Sequence, residues 1–150
     1  MILNKLNLSG TFGKKKAVRL LVVGNDSESN VNEYFGHLKD FAEISTHVYN
    51  IDCNFVHKGE EALKQIKDWH PNVILVDVHL EDINSFNVLE QCRREHLPVI
   101  VTSDFRLPDV EKSVENSGAS AYIPKSDSPD DFEYLLNRIV DLADDARIKH

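Results

Sequence analysis

Five short apolar runs alternate with five helical patterns along residues 17–143. The runs are rich in Val, Ile and Leu, as in VRLLVV (18–23) and NVILVD (72–77). Strands with so little polar alternation are buried on both faces, which happens when helices cover a parallel sheet from both sides. The alternation therefore predicts an α/β fold, a doubly wound parallel sheet built from five β-α units.

The strands are predicted from their length, their β-branched residues and the turn residues around them. They lie within residues 18–23, 47–56, 72–77, 98–103 and 120–124. The helices follow apolar spacings of three and four residues, at residues 27–38, 59–69, 84–94, 108–116 and 129–143. Gly118 is expected to cap the fourth helix. Residues 1–16 and 144–150 are predicted to be tails that flank one domain, residues 17–143.

The charge balance and the cysteines exclude several classes of protein. The chain has 25 acidic residues against 17 Lys and Arg, a net charge of −8. Binding to nucleic acid or to an anionic membrane needs a basic face, so we expect neither partner. No apolar run reaches membrane-spanning length, and the N-terminus lacks the pattern of a signal peptide. Cys53 and Cys92 have neither a zinc spacing nor a disulfide framework, so a cytoplasmic protein with reduced cysteines is expected.

Polar residues gather where the predicted strands end. In a parallel sheet these ends form one edge, where ligands bind. Asp77 ends the third strand, where water, a cation or a ligand can reach a carboxylate that is costly to bury unpaired. The other polar residues at this edge are Asn25, Asp26, Thr102, Ser103 and Lys125. Such a set suits a phosphoryl group, with a carboxylate to accept it, Mg²⁺ to neutralise it, and a hydroxyl and a lysine to hold its oxygens.

Five motifs stand in a characteristic order: LLVVGND, HKGEEALKQI, PNVILVD, LPVIVTSD and SGASAYIPKS. With them, residues 17–143 resemble the response-regulator receiver domain of two-component signalling. The resemblance implies a flavodoxin-like fold with strand order 2-1-3-4-5. It matches Asp77 with the phospho-acceptor and Lys125 with the lysine that pairs with the phosphoryl group. It matches Ser103 with the hydroxyl that binds a phosphoryl oxygen, and Tyr122 with the aromatic switch residue.

The resemblance also implies a cofactor and partners. The cofactor is Mg²⁺, with Asp77, Asn25, Asp26 and the backbone carbonyl of His79 as its ligands. The phosphoryl donor is a histidine kinase or a phosphotransfer protein. The output surface, formed by the fourth helix, the fifth strand and the fifth helix, meets a downstream signalling protein or a second copy of the chain. Because the chain ends soon after the fifth helix, we expect a stand-alone receiver without a DNA-binding domain.

Several positions depart from the family's pattern. Two adjacent acids usually follow the first strand, where this chain has Gly24 and Asn25. Glycine offers no ligand, an amide is a weaker ligand than a carboxylate, and Asp26 comes one position late, so Mg²⁺ binding should weaken. Glu81 and Ser85 replace a usual proline and glycine in the loop after the phospho-acceptor. The segment between the first helix and the second strand is also longer than usual.

One further departure, Asp104, adds negative charge beside the place for a phosphoryl group. Two hypotheses therefore stay open for Asp77. In the first it is phosphorylated and the domain is a switch. In the second hypothesis the site is degenerate and Asp77 is held in a structural ion pair with Lys125. The domain is then a pseudo-receiver that only binds partners. A third hypothesis, an unrelated flavodoxin-like enzyme, finds no dinucleotide motif, P-loop or nucleophile elbow, so we expect no enzyme.

Overall fold

In the computed structural model, five parallel strands form one sheet within the part of the chain that the structure describes. That part comprises residues 17–24, 36–38, 40–41, 50–77, 83–103, 112, 116, 118–126 and 128–149. The strands are β1 (Val18–Val23), β2 (Ile51–Val56), β3 (Val73–Asp77), β4 (Val99–Thr102) and β5 (Ala121–Tyr122). Their order is β2-β1-β3-β4-β5, and every neighbouring pair is parallel. The predicted doubly wound topology is confirmed.

Within the same ranges, three helices have defined bounds: α1 (Gly59–Trp69), α2 (Ile83–Arg94) and α3 (Pro129–Lys149). Residues 36–38, 40 and 41 are helical as well, so helical residues lie at the end of the predicted first helix and also beyond Leu38. Lys112 and Asn116 are helical and belong to the predicted fourth helix, residues 108–116. None of the helices described here has the length and apolar character of a membrane span.

Alternate residues of the central strands divide the core into two layers. Val73 and Leu75 of β3 pack in the layer that includes the apolar residues of α3. Ile74 and Val76 pack in the other layer, with residues of α1 and α2. Side chains alternate between the two faces of a sheet along each strand. Asp77, the next residue of β3, therefore lies on the face that α3 covers.

Helix α1 ends as the sequence predicts and is fastened to β1. His70 adopts the left-handed conformation, with φ of 56°, and ends the helix before Pro71. The Arg19 guanidinium donates a hydrogen bond to the backbone carbonyl of Trp69 at 2.8 Å. The backbone N–H of Arg19 donates to Oδ1 of Asn72, also at 2.8 Å. The turn between α1 and β3 is therefore held against the first residues of β1.

Strand β5 is shorter than predicted from residues 120–124. Regular pairing with β4 covers only Ala121–Tyr122. Beyond the regular pairing, the N–H of Ile123 still donates to the carbonyl of Val101 at 2.9 Å. The N–H of Lys125 also donates to the carbonyl of Ser103 at 3.0 Å, so the segments that follow β4 and β5 stay together further on.

The predicted end of the last helix at Ala143 was wrong, since α3 continues to Lys149. No glycine or proline stands between these residues, and Ala, Arg and Lys favour the helix. Residues 144–149 thus continue the helix. Asp145 and Ala146 line a groove of about 350 Å³ near the end of α2. The domain limits at residues 17 and 143 stay a prediction.

The turn before β5 contains Gly118, whose role as the cap of the fourth helix stays a prediction. Gly118 has a φ of 94°, a conformation that side chains with a Cβ rarely adopt. A Cβ at this position would also lie 2.9 Å from Cδ of Arg93, so the position excludes other residues on two grounds. Gly118 therefore sets the direction in which the chain enters β5.

Candidate functional site

Asp77 ends β3 as a buried carboxylate. The residue is 4% exposed, and the four hydrophobic residues before it are fully buried. Nζ of Lys125 donates to Oδ2 of Asp77 at 3.0 Å, and the two side chains are only 7% and 2% exposed. Burying a charge is strongly unfavourable unless an opposite charge and hydrogen bonds compensate it. The carboxylate at the end of this apolar strand is thus neutralised by a cation, one of the partners that the sequence predicts for it.

The backbone around Lys125 holds its side chain at this edge of the sheet. The Lys125 N–H is bonded to the carbonyl of Ser103, so β4 carries the residue. Oγ of Ser126 donates to Oδ2 of Asp131 at 2.5 Å and accepts from the N–H of Ser128 at 3.2 Å. The carbonyl of Ser128 accepts from the first N–H groups of α3. The connection from β5 to α3 is therefore fixed on both sides of the lysine.

Two hydroxyls stand at the end of β4, on opposite faces of the sheet. Thr102 is the register partner of Asp77, so it lies on the same face as the carboxylate. Ser103, 7% exposed, follows the alternation and points to the other face. Thr102 is 1% exposed, and its Oγ1 has no hydrogen-bond partner in the described ranges. Sequence reasoning placed both hydroxyls at this edge but assigned a role only to Ser103.

A signal for Thr102 does exist in the sequence. The residue closes the apolar run VIVT, where valine would serve packing equally well without a polar atom. Its face could not be known before the pairing of β3 with β4 was established. The register, with Asp77 opposite Thr102, supplies that information.

Tyr122 lies on the face of the sheet opposite to Asp77. Its ring is partly buried and packs against the core layer that contains Val101 and Leu89. Its neighbour Ala121 packs in the other layer, as the alternation along β5 requires. The predicted switch residue is therefore connected to the carboxylate through strand β4 and not by direct contact across the sheet.

The remaining predicted site residues lie outside the part of the chain that the structure describes. These are Asn25, Asp26 and His79, together with the acids Glu81, Asp82 and Asp104. Gly24, the residue just before them, is described. Its backbone N–H donates to the carbonyl of Val56 at 2.9 Å, and it contributes no side chain to the edge. One of the two usual acid positions after β1 is thus without a ligand.

The described residues do not complete a magnesium site. Mg²⁺ prefers octahedral oxygen ligation and is usually held by one or two carboxylates together with water. Among the residues described, no three His, Cys, Asp or Glu side chains gather as a metal cluster. Asp77 contributes one carboxylate, and one oxygen of it already accepts from Lys125. Any further protein ligands would come from the predicted residues outside these ranges.

The cysteines carry no chemistry at this edge. Cys53 and Cys92 hold thiols and not a disulfide, as the sequence predicts. Burial, with a smaller effect of the Glu95 carboxylate, raises the pKa of Cys92 to about 12. A thiol with such a pKa stays protonated at neutral pH and is a poor nucleophile. Cys92 is therefore a packing residue of α2.

Comparison with known families decides what this fold is. The sequence pattern of the response regulator receiver domain matches residues 37–137 of the chain. The chain belongs to the response regulator receiver family. The family's strand order and the carboxylate–lysine pair at the strand ends are both present in this receiver domain.

Relatives of this receiver domain are response regulators. It is 31% identical to the polar-differentiation response regulator DivK of Brucella ovis over 71 residues, which are 45% of this chain and 58% of DivK. It is 31% identical to a probable transcriptional regulator, ycf27, of Porphyridium aerugineum over 112 residues, 73% of this chain and 46% of that protein. The matches thus span only about half the length of these relatives.

Solved structures of receivers share its fold. The CheY-like receiver domain protein of Methanospirillum hungatei JF-1 superimposes with a TM-score of 0.68 at 23% identity, over 90% of this chain and 100% of that chain. A response regulator of Thermotoga maritima gives 0.68 at 21% identity, over 86% and 99% of the two chains. At such identities the likeness concerns the fold alone.

Membership in the family carries a general role. Receiver domains are signalling modules of two-component systems, generally without enzymatic activity of their own. They interact with histidine kinases or phosphotransfer proteins and with downstream effectors, and they typically bind Mg²⁺ at an acidic site. This chain is therefore a receiver domain of the response-regulator type.

Proposed function

We propose that this receiver domain accepts a phosphoryl group on Asp77 from a histidine kinase or a phosphotransfer protein. The observation that carries the proposal is the buried ion pair at the end of β3, in which Lys125 Nζ lies 3.0 Å from Oδ2 of Asp77. A carboxylate is the nucleophile of an acyl-phosphate intermediate, and a nearby ammonium offsets the negative charge of the incoming group. The pair stands at the sheet edge where α/β folds bind ligands.

The phosphoryl transfer forms one bond at Asp77 and breaks one bond in the donor. A carboxylate oxygen of Asp77 attacks phosphorus, and an acyl phosphate forms. The P–N bond of the donor's phosphohistidine breaks, and the imidazole nitrogen keeps the electron pair. The new group carries more negative charge than the carboxylate did, so Lys125 gains a second partner. Ser103 would donate its hydroxyl to a phosphoryl oxygen, as the family resemblance implies.

The proposed output runs along β4 and β5. Ser103 and Lys125 are joined by a backbone hydrogen bond, and the N–H of Ile123 donates to the carbonyl of Val101 at 2.9 Å. A displacement of Ser103 toward a phosphoryl group would therefore shift the backbone next to Tyr122. The surface formed by residues 108–116, β5 and α3 would then change its affinity for a downstream signalling protein or for a second copy of the chain.

For the cofactor we propose a weakened Mg²⁺ site. Its protein ligands would be Asp77, Asn25, Asp26 and the backbone carbonyl of His79. When bound, the ion neutralises charge on the phosphoryl oxygens. Gly24 contributes no ligand, which supports a lower affinity than two adjacent acids would give. Phosphorylation of this domain should therefore need more Mg²⁺ than a receiver with both acids.

A pseudo-receiver is the second candidate function, and a specific observation favours it. Asp77 and Lys125 already satisfy one another in a buried pair. A buried pair of this kind orders the fold even when no phosphoryl group ever arrives. In this case the domain docks a partner through an unmodified surface.

Acetyl phosphate with and without Mg²⁺, read by intact-protein mass, separates the two candidates. We expect a Mg²⁺-dependent gain of one phosphoryl group in the wild type and none in Asp77→Asn. The matched control is Asp141→Asn, which removes an exposed acid of α3 far along the chain and should leave the gain unchanged. Absence of the mass gain in the wild type at saturating Mg²⁺ would refute the phosphorylation proposal in favour of the pseudo-receiver.

A further inference from the structure

Thr102 carries a hydroxyl that the folded core does not use. The residue is 1% exposed, and Oγ1 has no hydrogen-bond partner in the part of the chain that the structure describes. An unsatisfied buried hydroxyl is destabilising, and valine would fill almost the same volume without that cost. A threonine here is explained by a second state of the site in which the hydroxyl has a partner.

Asp77 is the polar neighbour of Thr102 within the sheet. The two residues are Cα partners in the parallel β3–β4 pair, and adjacent strands lie about 4.8 Å apart. Two residues earlier along both strands, Leu75 and Ile100 are also partners, and both pack in the core layer that contains α3. The hydroxyl and the carboxylate therefore lie side by side on the same face of the sheet.

While Lys125 holds Asp77, the carboxylate has a donor at 3.0 Å and does not need Thr102. In the phosphorylated state proposed above, phosphoryl oxygens compete for the ammonium. If Lys125 turns toward them, the buried Oδ2 of Asp77 loses a donor, and such a loss is costly in a dry environment. Threonine populates more than one χ1 rotamer, so a single rotation can redirect its hydroxyl.

We propose that Thr102 is a positioning residue, whose hydroxyl donates a hydrogen bond to the Asp77 side chain when Lys125 leaves it. That phosphorylation causes this exchange rests on the proposed function. The exchange of hydrogen-bond donors itself needs only the removal of the Lys125 ammonium. Ser103 cannot replace Thr102, because the alternation of the strand places it on the other face of the sheet.

The test is a double-mutant cycle on the full chain, with Thr102→Val, Lys125→Met and their combination, followed by urea unfolding. In the wild-type background, Thr102→Val should lower the unfolding equilibrium constant about tenfold, because an unsatisfied hydroxyl is removed. In the Lys125→Met background it should raise that constant about tenfold, because it removes the hydroxyl that is proposed to donate to Asp77 in place of the ammonium. All four proteins are measured in trimethylamine N-oxide, which favours folding and keeps the weakest of them folded.

Thr102→Ser is the conservative variant, since it keeps the hydroxyl and loses only a methyl group. Thr102→Ser should change the unfolding equilibrium constant by the same factor in both backgrounds. If Thr102 had a purely structural role, the effect of Thr102→Val would also keep the same sign in both backgrounds. An effect of Thr102→Val with the same sign and size in both backgrounds would overturn the proposal.

A second arm concerns phosphorylation. With acetyl phosphate and Mg²⁺, Thr102→Val should take up the phosphoryl group about tenfold more slowly than the wild type, and Thr102→Ser should restore most of the rate. A wild type that takes up no phosphoryl group contradicts the proposed function, and the stability cycle then still decides the role of Thr102. A wild type that is phosphorylated at the same rate as Thr102→Val overturns the positioning role alone.

Discussion

The carboxyl ends of β1 and β3 differ, although the two strands are neighbours and both end on buried residues. Strand β3 ends on Asp77, which Lys125 neutralises inside the protein. Strand β1 ends at Val23 and continues into Gly24, which offers only backbone groups. The first end holds a buried carboxylate–lysine pair, and the second has a glycine where the family usually has an acid. The comparison teaches that the ion pair is supported by the fold itself, while a metal ligand after β1 is not.

The reason is energetic. Once Asp77 is buried, loss of Lys125 would leave a buried charge without its cation, so the folded state favours the pair. After β1 the chain has the buried Gly24, which carries no acid for a cation to neutralise, so only metal binding would favour an acid there. Two changes test this difference between the two strand ends, with the larger effect expected at β3, and a third tests a buried thiol of α2.

Lys125→Met breaks the β3 end. We expect the free energy of unfolding to fall by about 3–5 kcal/mol, because Asp77 is left buried without its cation. Urea unfolding measures the loss. The control is Lys64→Met on the exposed side of α1, for which a change within about 0.5 kcal/mol is expected. Equal effects of the two substitutions would mean that the Asp77–Lys125 pair contributes nothing to the fold.

Cys92 is a buried ionisable group for which no cation lowers the pKa among the described residues, in contrast to Asp77, which is paired with Lys125. Its pKa is raised from 9.0 to about 12, mainly by burial. Above pH 9 the unfolded chain releases this proton and the folded chain keeps it, so stability is lost as the pH rises from about 9 to about 12. The slope attributable to this thiol is about 1.4 kcal/mol per pH unit.

Unfolding free energies of the wild type and Cys92→Val across this pH range isolate that slope, since other groups titrate in both proteins. We expect the wild type to lose more stability with rising pH than the variant. Parallel pH profiles of the two proteins would argue against a thiol that stays protonated in the fold.

Gly24→Asp restores an acid at the β1 end. Gly24 is not a described position with positive φ, so its backbone accepts other residues. A second carboxylate at this edge should raise the affinity for Mg²⁺ about tenfold, as followed by calorimetric titration. The control is Gly36→Asp, where an added Cβ meets nothing within 4 Å. If both variants bind Mg²⁺ like the wild type, the lost acid does not limit metal binding.

The sequence alone predicted much of this framework. β1 and α1 were predicted with their observed bounds, because β-branched runs, a helical period and turn residues mark their ends. The end of α3 was missed because nothing in residues 144–149 stops a helix. The end of β5 was missed because a strand's length depends on its pairing with a partner strand, and regular pairing with β4 covers only Ala121–Tyr122.

The site was predicted unevenly for a similar reason. Residue types and the family resemblance brought Asp77, Lys125 and Ser103 to one edge of the sheet. The sequence left open whether Asp77 meets water, a cation or a ligand, and the structure shows the lysine at 3.0 Å. Thr102 received no role, because its face follows from the register between two strands and not from its own position in the sequence.

The central claim is that the β3 end remains a phosphorylation switch although the β1 end has lost a family acid. Beryllofluoride, an analogue of the phosphoryl group, tests it through backbone amide shifts in the presence and absence of Mg²⁺. We expect Mg²⁺-dependent shifts of the backbone amide signals of Ser103, Tyr122 and Lys125 in the wild type, and no such shifts in Asp77→Asn. Unchanged amide signals at all three residues, up to saturating Mg²⁺, would contradict it.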